Sequence, residues 1–190
     1  MRPWVAFFSQ TGTEIHDLSN ALGMYPSAIA TNNIFPMRIN SNLRDITRFR
    51  ESKLNEEIWH EMPPNRLSVF DYNYVLEKFK NPVVTLHGFL KIVPKEVCER
   101  YEMYNLHPGL IDKYPALKGF NPQERAFTEG YKLAGCVIHK VTPGVDEGEI
   151  LMSQGIGIDG MTLDGVYGAL RGTALELWKS FFTAYKILEE

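Results

Sequence analysis

A carboxamide and an imidazole stand two residues apart in Met103–Leu110, MYNLHPGL, and a carboxylate lies downstream at Asp146 in the stretch TPGVDEG. With a strand's period of two, Asn105 and His107 project from one face while Leu106 turns the other way into the core. Pro108-Gly109 cannot continue a paired strand, so the chain must leave the sheet directly after the histidine. Both groups therefore sit at the carboxyl end of a strand, where open α/β sheets carry their sites. An amide donor beside a charged imidazole suits a developing oxyanion, and a nearby carboxylate can move a proton and hold the imidazole charged. Asn-x-His alone is ordinary strand-end hydrogen bonding; its weight here comes from the motifs around it.

The elements that would position these groups read as a βαβ series. Trp4–Phe8 is a short apolar run fit for a buried parallel strand. The polar loop from Ser9 to Glu14 follows, then Ile15, Leu18 and Leu22 at helical spacing, stopped by Gly23. The loop carries neither a dinucleotide fingerprint nor a Walker sequence; Thr11 or Thr13 could simply cap the helix, whose N-terminus is a natural anion site. Residues 28–31 read as a second strand. Ser41 or Asn42 is expected to cap a helix through Leu43, Ile46 and Phe49, with Arg44, Arg48 and Arg50 on a solvated outer side. Asp71 is expected to cap a short helix. Regular order returns with Val83–Leu86 stopped at His87-Gly88, a helix from Pro94, the strand bearing Asn105, a helix over 123–128, and a strand over 136–141. A strand at 150–152 and a long helix over 163–188 complete the chain. The alternation predicts one α/β domain over residues 1–190, with a mainly parallel central sheet.

The totals agree with that class. A length of 190 residues suits one core, and 44% hydrophobic with 23% charged residues is ordinary for a globule in water. A net charge of −3 makes no electrostatic case for nucleic acid. Cys98 and Cys136 lack metal-ligand spacing and a disulfide framework, so free thiols and a cytoplasmic setting are expected. MRPWVAFFSQ has an apolar run too short for a signal peptide, and no segment has the length of a membrane span.

LHGFLKIV, YNLHPGLIDKYPALKG, GCVIHKV and VDEGEIL occur in the order and spacing of the folate-dependent formyltransferases. The similarity is sharp over roughly a third of the chain, weak between Phe35 and Leu76, and strongest to the glycinamide ribonucleotide branch. It implies a Rossmann-like formyltransferase fold with helices on both faces of the sheet, 10-formyltetrahydrofolate as formyl donor, and a small-molecule amine as acceptor. By resemblance Asn105, His107 and Asp146 match the catalytic trio. Leu90, Ile92, Val93, Lys140, Val141, Val145 and Asp146 match the walls of the folate pocket, and His139 matches a further histidine near the trio. Nothing in the chemistry calls for a metal.

The departures from the family concern the acceptor. Where the glycinamide ribonucleotide enzymes carry Gly-Ser-Asn around the acceptor's phosphate, the matching residues are Gly12, Thr13 and Glu14. A carboxylate in a first helical turn suits the helix dipole but repels an incoming phosphate. The acid that grips the ribose falls at Ala174, His87 replaces a small residue expected beside the folate, and a few extra residues surround Lys118-Gly119-Phe120. The expectation is an N-formyltransferase acting on a small amine, such as one on a nucleotide or sugar. The alternatives are phosphoribosylglycinamide formyltransferase itself and a formyltetrahydrofolate hydrolase; a homo-oligomer is compatible with either.

Overall fold

The computed structural model describes residues 2–185, so the end of the last helix expected near Leu188 lies outside the described residues. One seven-stranded sheet forms the middle layer: β1 (Trp4–Phe8), β2 (Ala28–Thr31), β3 (Trp59–Glu61), β4 (Val83–His87), β5 (Met103–His107), β6 (Leu133–Lys140) and β7 (Ile150–Gly157). Their order is β3-β2-β1-β4-β5-β6-β7. Strands β1 to β5 pair in parallel, whereas β5 with β6 and β6 with β7 pair antiparallel. The sheet is thus mainly parallel with an antiparallel end.

Helices α1 (Thr13–Leu22), α2 (Ser41–Leu54) and α6 (Leu163–Ala184) pack with one core, and α3 (Val69–Leu76) and α4 (Lys95–Arg100) with the other. A further helix, α5 (Pro122–Thr128), precedes β6. The period of two sorts β1 cleanly: Trp4, Ala6 and Phe8 join Ile15, Leu18, Trp178 and Phe182 in the first core, while Val5 and Phe7 join Tyr72, Val75 and Val97 in the second. Each of the fully buried aromatic side chains on α6 stabilises the fold by about 1.5–3 kcal/mol relative to exposure. None of the described helices is long and apolar enough to cross a membrane.

Several local expectations change. Asn40, not Ser41 or Asn42, caps α2, its side chain accepting from Leu43 N–H at 3.2 Å. Ser68 caps α3, and Asp71 completes a capping box from the third helical position. Gly12 stands at the N-cap of α1 at φ 71°, and a Cβ there would come 2.7 Å from Leu43 Cδ2, so the close packing of α1 on α2 requires glycine. The arginines of α2 are not a uniform solvated face. Arg44 lies over the Trp59 ring at 4.1 Å and Arg50 donates to Pro26 O at 2.8 Å, leaving Arg48 in an exposed pair with Asp45.

Candidate active site

β5 ends where its two polar side chains meet the neighbours on either side. Asn105 registers with Leu86 on β4 and with His139 on β6. The imidazole of His107 folds beneath the turn that follows it; a Cβ on Gly109 would approach its Nε2 to 2.6 Å, so only glycine leaves room for the ring. Nε2–H donates to Leu117 O at 2.9 Å, and Nδ1 lies 3.2 Å from Asp146 Oδ2. Asp146 is reached by a loop in which it takes φ 51°, an uncommon conformation for a non-glycine residue and one found at functional sites. Gly148 makes that loop possible, because any side chain there would strike the Lys140 carbonyl.

Asp146 is held from three sides. Gly119 N–H donates to Oδ2 at 2.9 Å, His107 faces the same oxygen, and His139 Nε2 lies 3.4 Å from Oδ1. His139 Nδ1 donates to Lys140 O at 2.8 Å, which leaves Nε2 of a neutral ring to accept from Asn105 Nδ2 at 3.2 Å. Each imidazole therefore commits one N–H to a main-chain carbonyl and turns its other nitrogen toward the same carboxylate. The hydrogen bond from Asn105 uses one hydrogen of its amide and leaves the second available.

Burial pushes the His107 imidazole below its ordinary value; the Asp146 charge and the Leu117 carbonyl pull it back only in part. Burial alone would raise the Asp146 carboxyl, but the neighbouring His139 and His107 imidazoles and the Gly119 N–H hold it below the usual carboxylate range. The result is an anionic aspartate beside a neutral histidine with one nitrogen lone pair facing an acceptor. That gap is filled by a single added proton.

The trio lines a cleft of about 610 Å³. Its apolar walls include Leu86, Phe89, Leu90, Ile92, Val93, Val141 and Val145, with Asn105, His107, His139 and Asp146 in contact with one another at the same cleft. This mixture of apolar wall and few converging polar groups is that of a small-molecule site. A formyl transferase family profile matches residues 29–172. The chain belongs to the formyl transferase family. Solved relatives of this family share the fold: phosphoribosylglycinamide formyltransferase from Streptococcus pneumoniae superposes with a TM-score of 0.74 at 19% identity, covering 97% of this chain and 99% of that one. A formyltetrahydrofolate deformylase from Pseudomonas syringae gives 0.73 at 18% identity, covering 93% and 59%. Among curated proteins, the human trifunctional purine biosynthetic protein adenosine-3 is 34% identical over 101 residues, 51% of this chain and 10% of its own length. Phosphoribosylglycinamide formyltransferase of Bacillus subtilis is 32% identical over 79 residues, 40% of this chain and 39% of its own. The chain thus spans well under two thirds of these curated formyl transferase relatives.

Within this family setting, the structure redistributes several expected site residues. Lys140 does not line the cleft; its ammonium pairs with Glu149 at 2.7 Å on the surface. His87 is not beside the pocket wall either, because Leu86 and His87 alternate and Leu86 takes the cleft side. His87 is buried on the opposite face, with Nδ1 2.7 Å from Glu14 Oε1. Gly12, Thr13 and Glu14 likewise lie outside the cleft lining, and the loop before them reaches it through Gln10. Residues not assigned to the site from the sequence are Gln10, Asn121, Pro122 and Gln123 at the cleft and Leu117 as a partner of His107, while Gly119 and Phe120 stood out only as part of the altered loop after β5. Gln10 belongs to the polar loop after β1, and the others to the Gly- and Pro-rich loop between β5 and α5 or to the start of α5.

Proposed function

We propose that this chain is a folate-dependent N-formyltransferase, transferring the formyl group of 10-formyltetrahydrofolate to the primary amine of a small acceptor. The convergence of Asn105, His107 and Asp146 in a largely apolar cleft carries the reading. Its fit to the donor is chemical: Phe89, Ile92, Val93 and Val141 offer apolar surface for a heterocycle, and Asn105, His107, His139 and Asp146 lie against one another in the same cleft. The bound folate supplies the one-carbon unit and a nitrogen that leaves once protonated.

The chain's residues supply charge stabilisation and a proton path. Asn105, oriented by His139, presents its free amide hydrogen toward the carbonyl oxygen on which negative charge grows. The attacking amine must lose a proton, and Asp146 is the group of the trio positioned to receive it from the cleft. His107 takes that proton from Asp146 across 3.2 Å and returns it for the leaving nitrogen. With both His107 nitrogens facing protein oxygens, direct donation by His107 to the oxyanion is not available in this arrangement; its work is to hold the proton. The roles of the expected pair therefore separate, with Asn105 stabilising charge and His107 serving Asp146.

Likeness to formyltetrahydrofolate deformylase of Bacillus subtilis, 30% identical over 105 residues, raises hydrolysis as a second outcome, with water replacing the amine. Incubation with 10-formyltetrahydrofolate, with and without a panel of amines, separates the two by following release of unformylated folate. Turnover that requires an amine supports the transferase. Equal turnover without amine supports the hydrolase, and binding without turnover in every condition overturns both.

A further inference from the structure

The two main-chain partners of the acid–base pair come from one loop. Leu117 O accepts from His107 Nε2–H and Gly119 N–H donates to Asp146 Oδ2, each at 2.9 Å. Leu117 is anchored by a fully buried side chain, but none of residues 118–121 is buried, and Phe120 is 76% exposed. The side chain that grips this stretch is Arg125, in the middle of α5. Its Nη1 donates to Lys118 O at 3.0 Å and to Phe120 O at 3.2 Å, and its Nη2 donates to Ala116 O. Its Nε stands 4.0 Å from Glu129 Oε1, one turn along, beyond hydrogen-bond reach. One guanidinium thus gathers three alternate carbonyls of the loop, and the residues between them, Leu117 and Gly119, are the two that serve His107 and Asp146. Lys118 C=O and Gly119 N–H belong to a single trans peptide unit and point in opposite directions. The bond to Arg125 at one end therefore aims the N–H at Asp146 from the other.

We propose that Arg125 is a positioning residue for formyl transfer, acting through this loop to hold Gly119 N–H on Asp146 and the Leu117 carbonyl on His107. This deepens the N-formyltransferase reading and rests on it. Arg125 does not line the cleft, so its route to the chemistry runs through the main chain. Each of the two bonds selects a state. An N–H on Oδ2 favours the anionic carboxylate, and a carbonyl at Nε2 keeps the imidazole hydrogen there, which leaves the Nδ1 lone pair facing Asp146. A rotation of the 118–119 peptide would turn its carbonyl toward the carboxylate, setting two acceptors face to face. A planar guanidinium suits the task of preventing it. Its fixed donors meet several carbonyls at once, and hydrogen bonds from a charged donor are roughly twice as strong as neutral ones. A lysine ammonium would supply the charge without the fork.

The test measures amine-dependent turnover and the Kd for 10-formyltetrahydrofolate in Arg125→Ala and Arg125→Lys proteins, each alone and combined with Asp146→Asn. A misplacement of about 1 Å can cost on the order of 10²-fold in rate, so Arg125→Ala is expected to lower kcat by about tenfold or more while the donor Kd changes by less than about threefold. Arg125→Lys should also lose about tenfold or more, because it keeps the charge and not the grip on three carbonyls. It carries the test alone if Arg125→Ala lacks a cooperative melting transition. In Asp146→Asn protein, whose proton path is already broken, either substitution should cost less than about threefold further. A folded variant with kcat within about tenfold of wild type overturns the proposal, as does a donor Kd that rises as far as kcat falls. A further loss of about threefold or more in the Asp146→Asn background overturns it too, since a general structural role gives that result. Wild-type protein without amine-dependent turnover overturns the transferase reading and this proposal with it, whereas active wild-type protein with unaffected variants overturns this proposal alone.

Discussion

Replacing Asp146 by asparagine probes the proton path with little change of shape. With its amide oxygen in place of Oδ2 the side chain still accepts from Gly119 N–H at 2.9 Å, and its nitrogen takes the place of Oδ1, 3.4 Å from His139 Nε2. The fold should therefore survive, and His107, left without the charge beside it, should stay neutral. What is lost is a charge 3.2 Å from Nδ1 in a site where both side chains are largely buried. At an effective dielectric near 20, that charge favours a proton on His107 by roughly 5 kcal/mol. Positioned acid–base catalysis contributes about 10²–10⁴-fold, or roughly 3–5 kcal/mol at 1.36 kcal/mol per decade, which is the same size. Asp146→Asn should thus lower kcat by about 10²–10⁴-fold while folate affinity changes by only a few-fold. Single-turnover formyl transfer at saturating donor, with folate binding measured by fluorescence, checks both halves. A kcat within tenfold of wild type refutes the proton path through Asp146.

Asn105→Ala should lower kcat by about 10²–10³-fold, the loss expected for one oxyanion donor, with folate binding retained in a titration. His139→Ala should act through Asn105: it lowers kcat by about tenfold or more, and combining it with Asn105→Ala should cost much less than the sum of the two effects in a double-mutant cycle. Gly109→Ala forces a Cβ against His107 Nε2, so a loss of about 1–3 kcal/mol is expected in denaturant unfolding, along with reduced kcat. The depressed His107 has a pH signature. Because burial disfavours its charged form, its contribution is complete above the ordinary value of 6.5 and is lost as pH falls from there toward the depressed one. Melting temperature should therefore decline below about pH 6.5, and His107→Asn should remove that part of the decline.

The parts of the fold most legible in the sequence were those whose signal is local and strong. The apolar runs of β1 and β4 are bounded by polar or glycine stops, and Pro108-Gly109 ends β5 directly after its histidine. β3 left no such trace: it has three residues, Trp59–Glu61, and owes its strand state to pairing with β2. The helix starts were displaced by a few residues because Asn40, Ser41 and Asn42 are all competent caps, and only the geometry of the turn selects among them. β6 and β7 run longer than their apolar runs because each is paired to the other over most of its length, which holds Gly155 and Gly157 in the ladder.

The site was legible in its chemical residues and less so in their partners. His107 meets Leu117 and Asp146 meets Gly119 through a loop of irregular backbone, for which no periodicity exists to be read. The misplacement of His87 has a plainer cause. Alternation along β4 separates Leu86 from His87 and gives Leu86 the cleft side, so a resemblance that set His87 beside the folate conflicted with the period of two. Glu14 shows the same limit: its place in the first turn of α1 could be read, but the two buried donors that lock it come from β4 and α6.

The most direct measurement is a crystal structure of this protein with a stable formyl-bearing analogue of 10-formyltetrahydrofolate. The account predicts the heterocycle against Ile92, Val93 and Val141, with the formyl oxygen within about 2.6–3.2 Å of Asn105 Nδ2 and the formyl group opening toward Asp146. An analogue bound elsewhere, or bound in the cleft with its formyl group directed away from both Asn105 and Asp146, contradicts it.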